Sequence, residues 1–217
     1  MNERQSSRAY ELLTARLAPF AADGETIQFD RLGAAPVDDQ TVGLVAECLV
    51  DRDPDARQAG LFVLAGLQDD RPERLEPFRP LQFKVRELLL DPVAAVRCDA
   101  LMAFAYFDPE DLHEAVHEFL GDPHGRNRLQ AVRILEAEQD PKNLAALLRL
   151  GVDPYHEAVP EDEKEWLLVR EAARTAIETV ASVQFPERLA EEEVEGVPCL
   201  YHAWDPVWRW AAQEGIR

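Results

Sequence analysis

Four arginines, Arg57, Arg97, Arg128 and Arg170, stand at the same place in four similar segments, and this shared register constrains the fold more than any other feature of the sequence. They follow one another at steps of 40, 31 and 42 residues. Three residues after each comes a small residue (Gly60, Ala100, Ala131, Ala173), and seven after comes an apolar one (Leu64, Phe104, Leu135, Ile177). Six residues before the arginine stands an aspartate in three copies (Asp51, Asp91, Asp122), with Lys164 at that place in the fourth. Small and apolar residues at such spacings mark one stripe of a helix. Recurrence at this period marks units that cannot bury their apolar faces alone and must stack.

Seven of the 15 prolines directly follow an aspartate, at Asp53, Asp91, Asp108, Asp122, Asp140, Asp153 and Asp205. An aspartate can cap the exposed amides of a helix start, and proline suits the first helical position because its missing N–H has no partner there. The pattern therefore predicts helix after helix, paired near 38–50 with 54–67, 80–90 with 93–107, 109–120 with 124–138, and 141–150 with 161–183. A first helix from Ser7 to about Ala22 and the tail from Phe185 serve as caps. Only Thr26 to Phe29 reads as a strand. In the tail, Glu191-Glu192-Glu193 reads as a solvated acidic loop, and Tyr201, Trp204, Trp208 and Trp210 as an aromatic cap against the last repeat.

The segment Asp51-Arg52-Asp53-Pro54-Asp55-Ala56-Arg57-Gln58-Ala59-Gly60 resembles the HEAT-repeat family in its PBS-lyase-type HEAT-like variant, whose pattern is Asp-x-Asp-Pro-x-[Ala/Val]-Arg-x-x-Ala. The resemblance covers residues 37–183. It implies an all-α solenoid of about four helix pairs, with the repeated Asp and Arg (Asp51, Arg57, Asp91, Arg97, Asp122, Arg128, Arg170) forming a ladder between neighbours. The chain then divides into an N-terminal capping helix and loop (1–36), the repeats (37–183) and a Trp-rich C-terminal cap (184–217). The fourth copy departs from the pattern through Lys164 and an inserted loop, Gly151 to Pro160.

Aspartate and glutamate number 42 against 23 lysines and arginines, a net charge of −19. Such a surface repels phosphate backbones and attracts basic proteins, which argues against a nucleic-acid partner. No apolar run approaches the roughly 20 residues of a membrane span. The first residues, MNERQSSRAYELL, are polar and charged, so a cytoplasmic chain with no membrane partner is expected. Cys48, Cys98 and Cys199 lie far apart and suggest buried thiols rather than a disulfide framework or a cysteine zinc site.

One short motif points elsewhere. His113-Glu114-Ala115-Val116-His117 matches the His-Glu-x-x-His of zinc hydrolases, in which two His one helical turn apart hold the metal and the Glu activates its water. That chemistry needs a third ligand and a substrate-binding sheet, and the predicted fold offers no sheet. Glu136 and Glu138 lie at suitable sequence separations, but in a simple helical hairpin residue 136 sits roughly 13 Å along the axis from His117 at about 1.5 Å per residue. His113 and His117 therefore read as ordinary helix histidines, and no metal or cofactor is expected.

In HEAT-like proteins the second helix of each pair lines a concave binding face. The outward columns of the register bring Phe62, Cys98, Met102, Tyr106, Leu129 and Arg133 onto that face, an apolar centre with a charged rim. The expectation is a non-catalytic protein-interaction module or adaptor with a basic protein partner. Its sharper form is an acidic immunity protein or inhibitor that neutralises a basic toxin or nuclease. The enzymes of similar fold, alkylated-base DNA glycosylases and bilin lyase subunits, are alternatives. The first lacks a basic DNA groove, and for the second no residue can be nominated.

Overall fold

The computed structural model describes residues 7–23, 26–27, 37–66, 72–107, 109–158 and 164–216. The chain forms two compact units, residues 1–113 and 114–217. It is mostly helical, with a small four-stranded sheet in the second unit. The boundary falls inside one helix, α6 (Pro109–Phe119).

In the first unit, α1 (Arg8–Ala21) buries Ala9, Leu13 and Leu17, one side of a helix at steps of four. Arg16 ties it to α2 (Asp39–Cys48): its Nε donates to Thr41 Oγ1 at 2.8 Å, and its guanidinium pairs with Asp38. The Asp38 carboxylate in turn caps α2 by accepting from the Thr41 amide at 2.9 Å. Helix α3 (Pro54–Gly66) packs on α2 so closely that a Cβ on Gly60 would lie 3.1 Å from Leu49 Cδ2 and 3.2 Å from Cys48 Cβ. The small residue of the register is thus a helix-crossing contact, and Ala100, Ala131 and Ala173 are likewise fully buried. A 3₁₀ segment (Pro72–Leu81) leads into α4 (Gln82–Leu88), and α5 (Ala94–Phe107) buries Val96, Leu101 and Phe104. Gln58 of α3 donates to Asp99 of α5 at 2.6 Å. Burial pushes the Asp99 carboxyl up from its ordinary range, partly offset by that hydrogen bond.

The repeated aspartates and arginines make one local geometry four times. Asp51, Asp91, Asp122 and Asp153 each accept from the amide two residues on, at 2.8, 2.8, 2.8 and 2.9 Å. Arg57, Arg97, Arg128 and Arg170 each donate to the backbone carbonyl of that same aspartate, in every case at 2.8 Å. Two of these guanidiniums also fork onto the carboxylate of the following copy: Arg57 onto Asp91 at 2.7 and 3.0 Å, and Arg128 onto Asp153 at 2.6 and 2.8 Å. The fourth rung therefore corrects the sequence reading. Lys164 is no part of it and pairs instead with Glu191; Asp153 takes the place, displaced in sequence because β-strands are inserted between it and Arg170.

In the second unit, α7 (Gly125–Glu138) and α9 (Leu168–Ala181) pack together, with α8 (Leu144–Arg149) against α9. Thr179 Oγ1 donates to Glu136 at 3.1 Å, joining the outer sides of α7 and α9. The Tyr155 ring occupies the space a side chain at Gly125 would need, 2.0 Å from an added Cβ, so only glycine fits at the start of α7.

The predicted absence of sheet is overturned here. Besides the two-residue pairing of β1 (Ala22–Asp23) with β2 (Thr26–Ile27), the chain contains β3 (Glu157–Ala158), β4 (Glu165–Trp166), β5 (Leu189–Val194) and β6 (Val197–His202), in spatial order β3-β4-β6-β5. Of the sequence-predicted strand, Gln28 and Phe29 lie outside the described residues. The acidic run 191–193 is strand, not loop. The β5–β6 connection is Glu195-Gly196, both with positive φ (52° and 83°), which is the two-residue turn that matches strand twist. Leu167, Val194 and Cys199 form the small core beneath this sheet. The last helix predicted from 161 consequently starts only at Leu168, since 165–166 are spent on β4. Helix α10 (Asp205–Glu214) follows, with Trp204, Val207 and Ala211 buried.

Both ends of the rung series find substitutes. Asp51, which no preceding repeat serves, accepts from Ser7 Oγ at 2.6 Å, and Arg170 meets Glu192 of β5 at 2.6 Å. With side-chain exposures of 11% and 5%, Arg57 and Asp91 form the most enclosed of the described rungs in the first unit. Arg57→Ala strands a buried carboxylate and is expected to lower stability by about 3 to 5 kcal/mol, read from the urea-unfolding midpoint. Arg57→Met combined with Asp91→Leu, which removes both charges together, should recover most of that loss.

Candidate functional site

The residues assigned to a binding face divide between the units. In the first, Phe62 of α3 and Cys98 and Met102 of α5 are half-buried, on helices that pack side by side. Tyr106 falls on α5, but its side chain lies outside the described residues. In the second, Leu129 is half-buried and Arg133 exposed, one turn apart on α7. Cys48 and Cys199 are buried thiols; burial, with Asp51 and Glu47 adding to it, pushes the Cys48 thiol up to about 12, far from a reactive thiolate.

The two histidines of the metalloprotease-like motif have different surroundings. His113 is exposed, whereas His117 is half-buried and its Nε2 lies 3.2 Å from Asn143 Oδ1. The Asn143 amide donates in turn to Glu138 at 3.1 Å. Asn143, in the 3₁₀ turn before α8, thus bridges His117 and Glu138. Among the described residues no three His, Cys, Asp or Glu side chains converge as a metal-binding group.

Sequence reasoning missed two clefts in the second unit. The first, of about 270 Å³, is lined among others by Arg170, Glu192, Tyr201, Trp204, Asp205 and Trp208. Here the Arg170 guanidinium lies over the Tyr201 ring, 5.0 Å from its centroid, while it pairs with Glu192. That hydrogen bond holds the Glu192 carboxyl below the ordinary range, against a smaller opposing effect of burial. Trp204 is seated on Gly151, where an added Cβ would come within 2.4 Å of the indole. Trp208 lies beside it, ring centroids 5.9 Å apart at 46°, and stays 44% exposed. The second cleft, of about 390 Å³, is strongly polar and lined by Glu171, Arg174, Glu178 and His202. Glu171 grips both the backbone amide and Nδ1 of His202 at 2.6 Å, which clamps β6 to α9. The sequence signal for these sites was the Val-Glu-Gly-Val turn: once 189–202 is read as a hairpin, Glu192 and Tyr201 come to face α9.

No protein-family model matches the sequence, and no curated protein matches it. Solved structures do match. One is the crystal structure of an engineered protein, 17% identical, covering 82% of this chain and 76% of its own, with a TM-score of 0.54. At that identity the likeness concerns the fold alone.

A carboxylate held below its ordinary range adds stability above that range, and the contribution is lost as pH falls through the lowered value. Glu192→Gln should accordingly destabilise the protein near neutral pH. Its difference from the parent should shrink as pH falls below the ordinary glutamate range and through the lowered value of the parent's own carboxyl, as measured by urea-unfolding midpoints at neutral and at acid pH. For the histidines, His113→Ala with His117→Ala should cost about 1 kcal/mol through the lost Asn143 contact. Elemental analysis of the purified parent is expected to find no stoichiometric zinc.

Proposed function

We propose that this chain is a HEAT-like helical-repeat protein that binds another protein, without chemistry of its own, and that its partner is basic. The observation that carries the reading is the fourfold geometry of Asp51, Asp91, Asp122 and Asp153 with Arg57, Arg97, Arg128 and Arg170. The polar side chains that recur in every repeat hold the repeats themselves, as the architecture of an interaction scaffold requires. What varies at the columns the register assigns to the face is Phe62, Cys98, Met102 and Tyr106 in one unit, and Leu129 and Arg133 in the other. In HEAT-like stacks these columns lie on the concave face. An apolar centre of this kind is what a partner's anchor residues fill.

Charge supplies the partner's sign. The two units carry 21 acidic residues each, against 12 and 11 basic ones, so the excess extends over the whole chain rather than one tail. A field of that sign steers a basic protein and weakens as salt screens it beyond a Debye length of about 8 Å. The −19 charge also favours a sharper form of the same reading, an acidic inhibitor seated on a basic toxin or nuclease.

The test is capture from the native cell extract with the full chain as bait, then titration with the captured protein. Association should slow with added salt, and Phe62→Ala with Met102→Ala should weaken binding by about 1 to 4 kcal/mol while the variant stays folded. Unchanged affinity in that variant would remove the α3/α5 face from the reading.

A further inference from the structure

The aromatic cleft of the second unit has a use that the ladder does not explain. We propose that it receives an arginine side chain presented by the basic partner, an inference that rests on the reading above and adds a second, chemically specific contact to it. The protein itself supplies the precedent: the Arg170 guanidinium already lies over Tyr201 at 5.0 Å and against Glu192 at 2.6 Å, an aromatic face and a carboxylate acting together on one planar cation. The same elements recur toward solvent. Trp208 is 44% exposed, next to Trp204, which Gly151 holds in place. Asp205 is exposed at the head of α10.

Glu192 has capacity left as well. Its side chain is 44% exposed, and while Oε2 takes the short bond from Arg170, Oε1 sits at 3.4 Å from the second guanidinium nitrogen. Arg209, next to Trp208 in sequence, donates its Nε to the Asp205 carbonyl at 3.2 Å. An incoming guanidinium would therefore meet the exposed Trp208 indole and two carboxylates, and its planar fork suits both better than an ammonium does. An anion would face Glu192 and Asp205, and among the described residues that line the cleft the cation is Arg170, already paired with Glu192. The cleft's volume of about 270 Å³ suits one long side chain rather than a folded segment.

The experiment follows the tryptophan indole N–H signals of the full chain by NMR, with Trp208 assigned through Trp208→Phe. The probe is acetyl-glycyl-arginyl-glycine amide, and matched peptides carry citrulline or glutamate in place of arginine. The expected result is a saturable shift of the Trp208 and Trp204 signals with the arginine peptide alone, weakened about fivefold in Asp205→Asn and in Trp208→Ala. Four results would each overturn the proposal: no saturable shift at concentrations on the order of tens of millimolar, an equal response to citrulline, a response to the glutamate peptide, or unchanged affinity in both variants. The two readings fail separately. A partner whose binding depends on Phe62 but not on Asp205 leaves the protein-binding role standing without the cleft, and an arginine-responsive chain that captures no protein does the reverse.

Discussion

A guanidinium forked onto a carboxylate away from water is the interaction on which the rest of this structure depends. Taking two such charges out of solvent costs several kcal/mol per ion, and attraction offsets it only when the remaining donors and acceptors are also satisfied. Here they are. The aspartate fixes its own turn by accepting an amide two residues on, and the arginine fastens that turn to the helix by donating to its carbonyl. One rung thus orders a turn, a helix start and a neighbouring copy together, and a slip of one residue would leave a charge buried without its partner. That explains why arginine, with donors spread over a rigid fork, occupies the place in all four copies.

The hairpin of β5 and β6 belongs to this logic rather than standing apart from it. Where the other copies would present a rung aspartate to Arg170, the chain supplies Glu192 from a strand instead, with Tyr201 from the paired strand covering the guanidinium. Lys164 and Glu191 make a second, more exposed tie between the insertion and β5. Glu171 binds His202, so the C-terminal end of β6 is fastened to the helix that carries the last arginine of the register. The sheet is small because its task is local: it closes one rung and covers Leu167, Val194 and Cys199.

The helical part of this plan was legible because its signals are local. Gly60, Ala100, Ala131 and Ala173 announce helix crossings through size, and Leu64, Phe104, Leu135 and Ile177 announce the core through hydrophobic spacing; all are buried. Asp-Pro was less uniform than it looked. At Asp53 and Asp205 it begins a helix, but Asp91 and Asp122 stand three residues ahead of theirs, and Asp153 leads into a strand. The aspartates of the rungs are turn-formers whose carboxylates are needed elsewhere, a role that depends on a partner some 25 to 34 residues away. The strands escaped notice because β3 and β4 are two residues long and because three glutamates in succession resemble solvated chain. Only the Arg170 and Lys164 partners, brought near by the fold, make that run compatible with a sheet. The aromatic cleft was illegible for the same reason, since its walls come from α9, the hairpin and α10 at once.

The substitutes at Asp51 and Arg170 have a consequence for self-association. Each rung is polar, an acceptor on one side and a donor on the other, so a bare terminal acceptor and a bare terminal donor would be complementary. Molecules joined through such groups head to tail would form a heterologous contact, which grows into an open filament unless its rotation closes a ring. The Ser7 hydroxyl fills the acceptor with a short neutral donor, and Glu192 fills the donor from within the same chain. Each of these two end groups therefore already has a partner within its own chain, and the ladder's chemistry offers neither of them bare to a second copy.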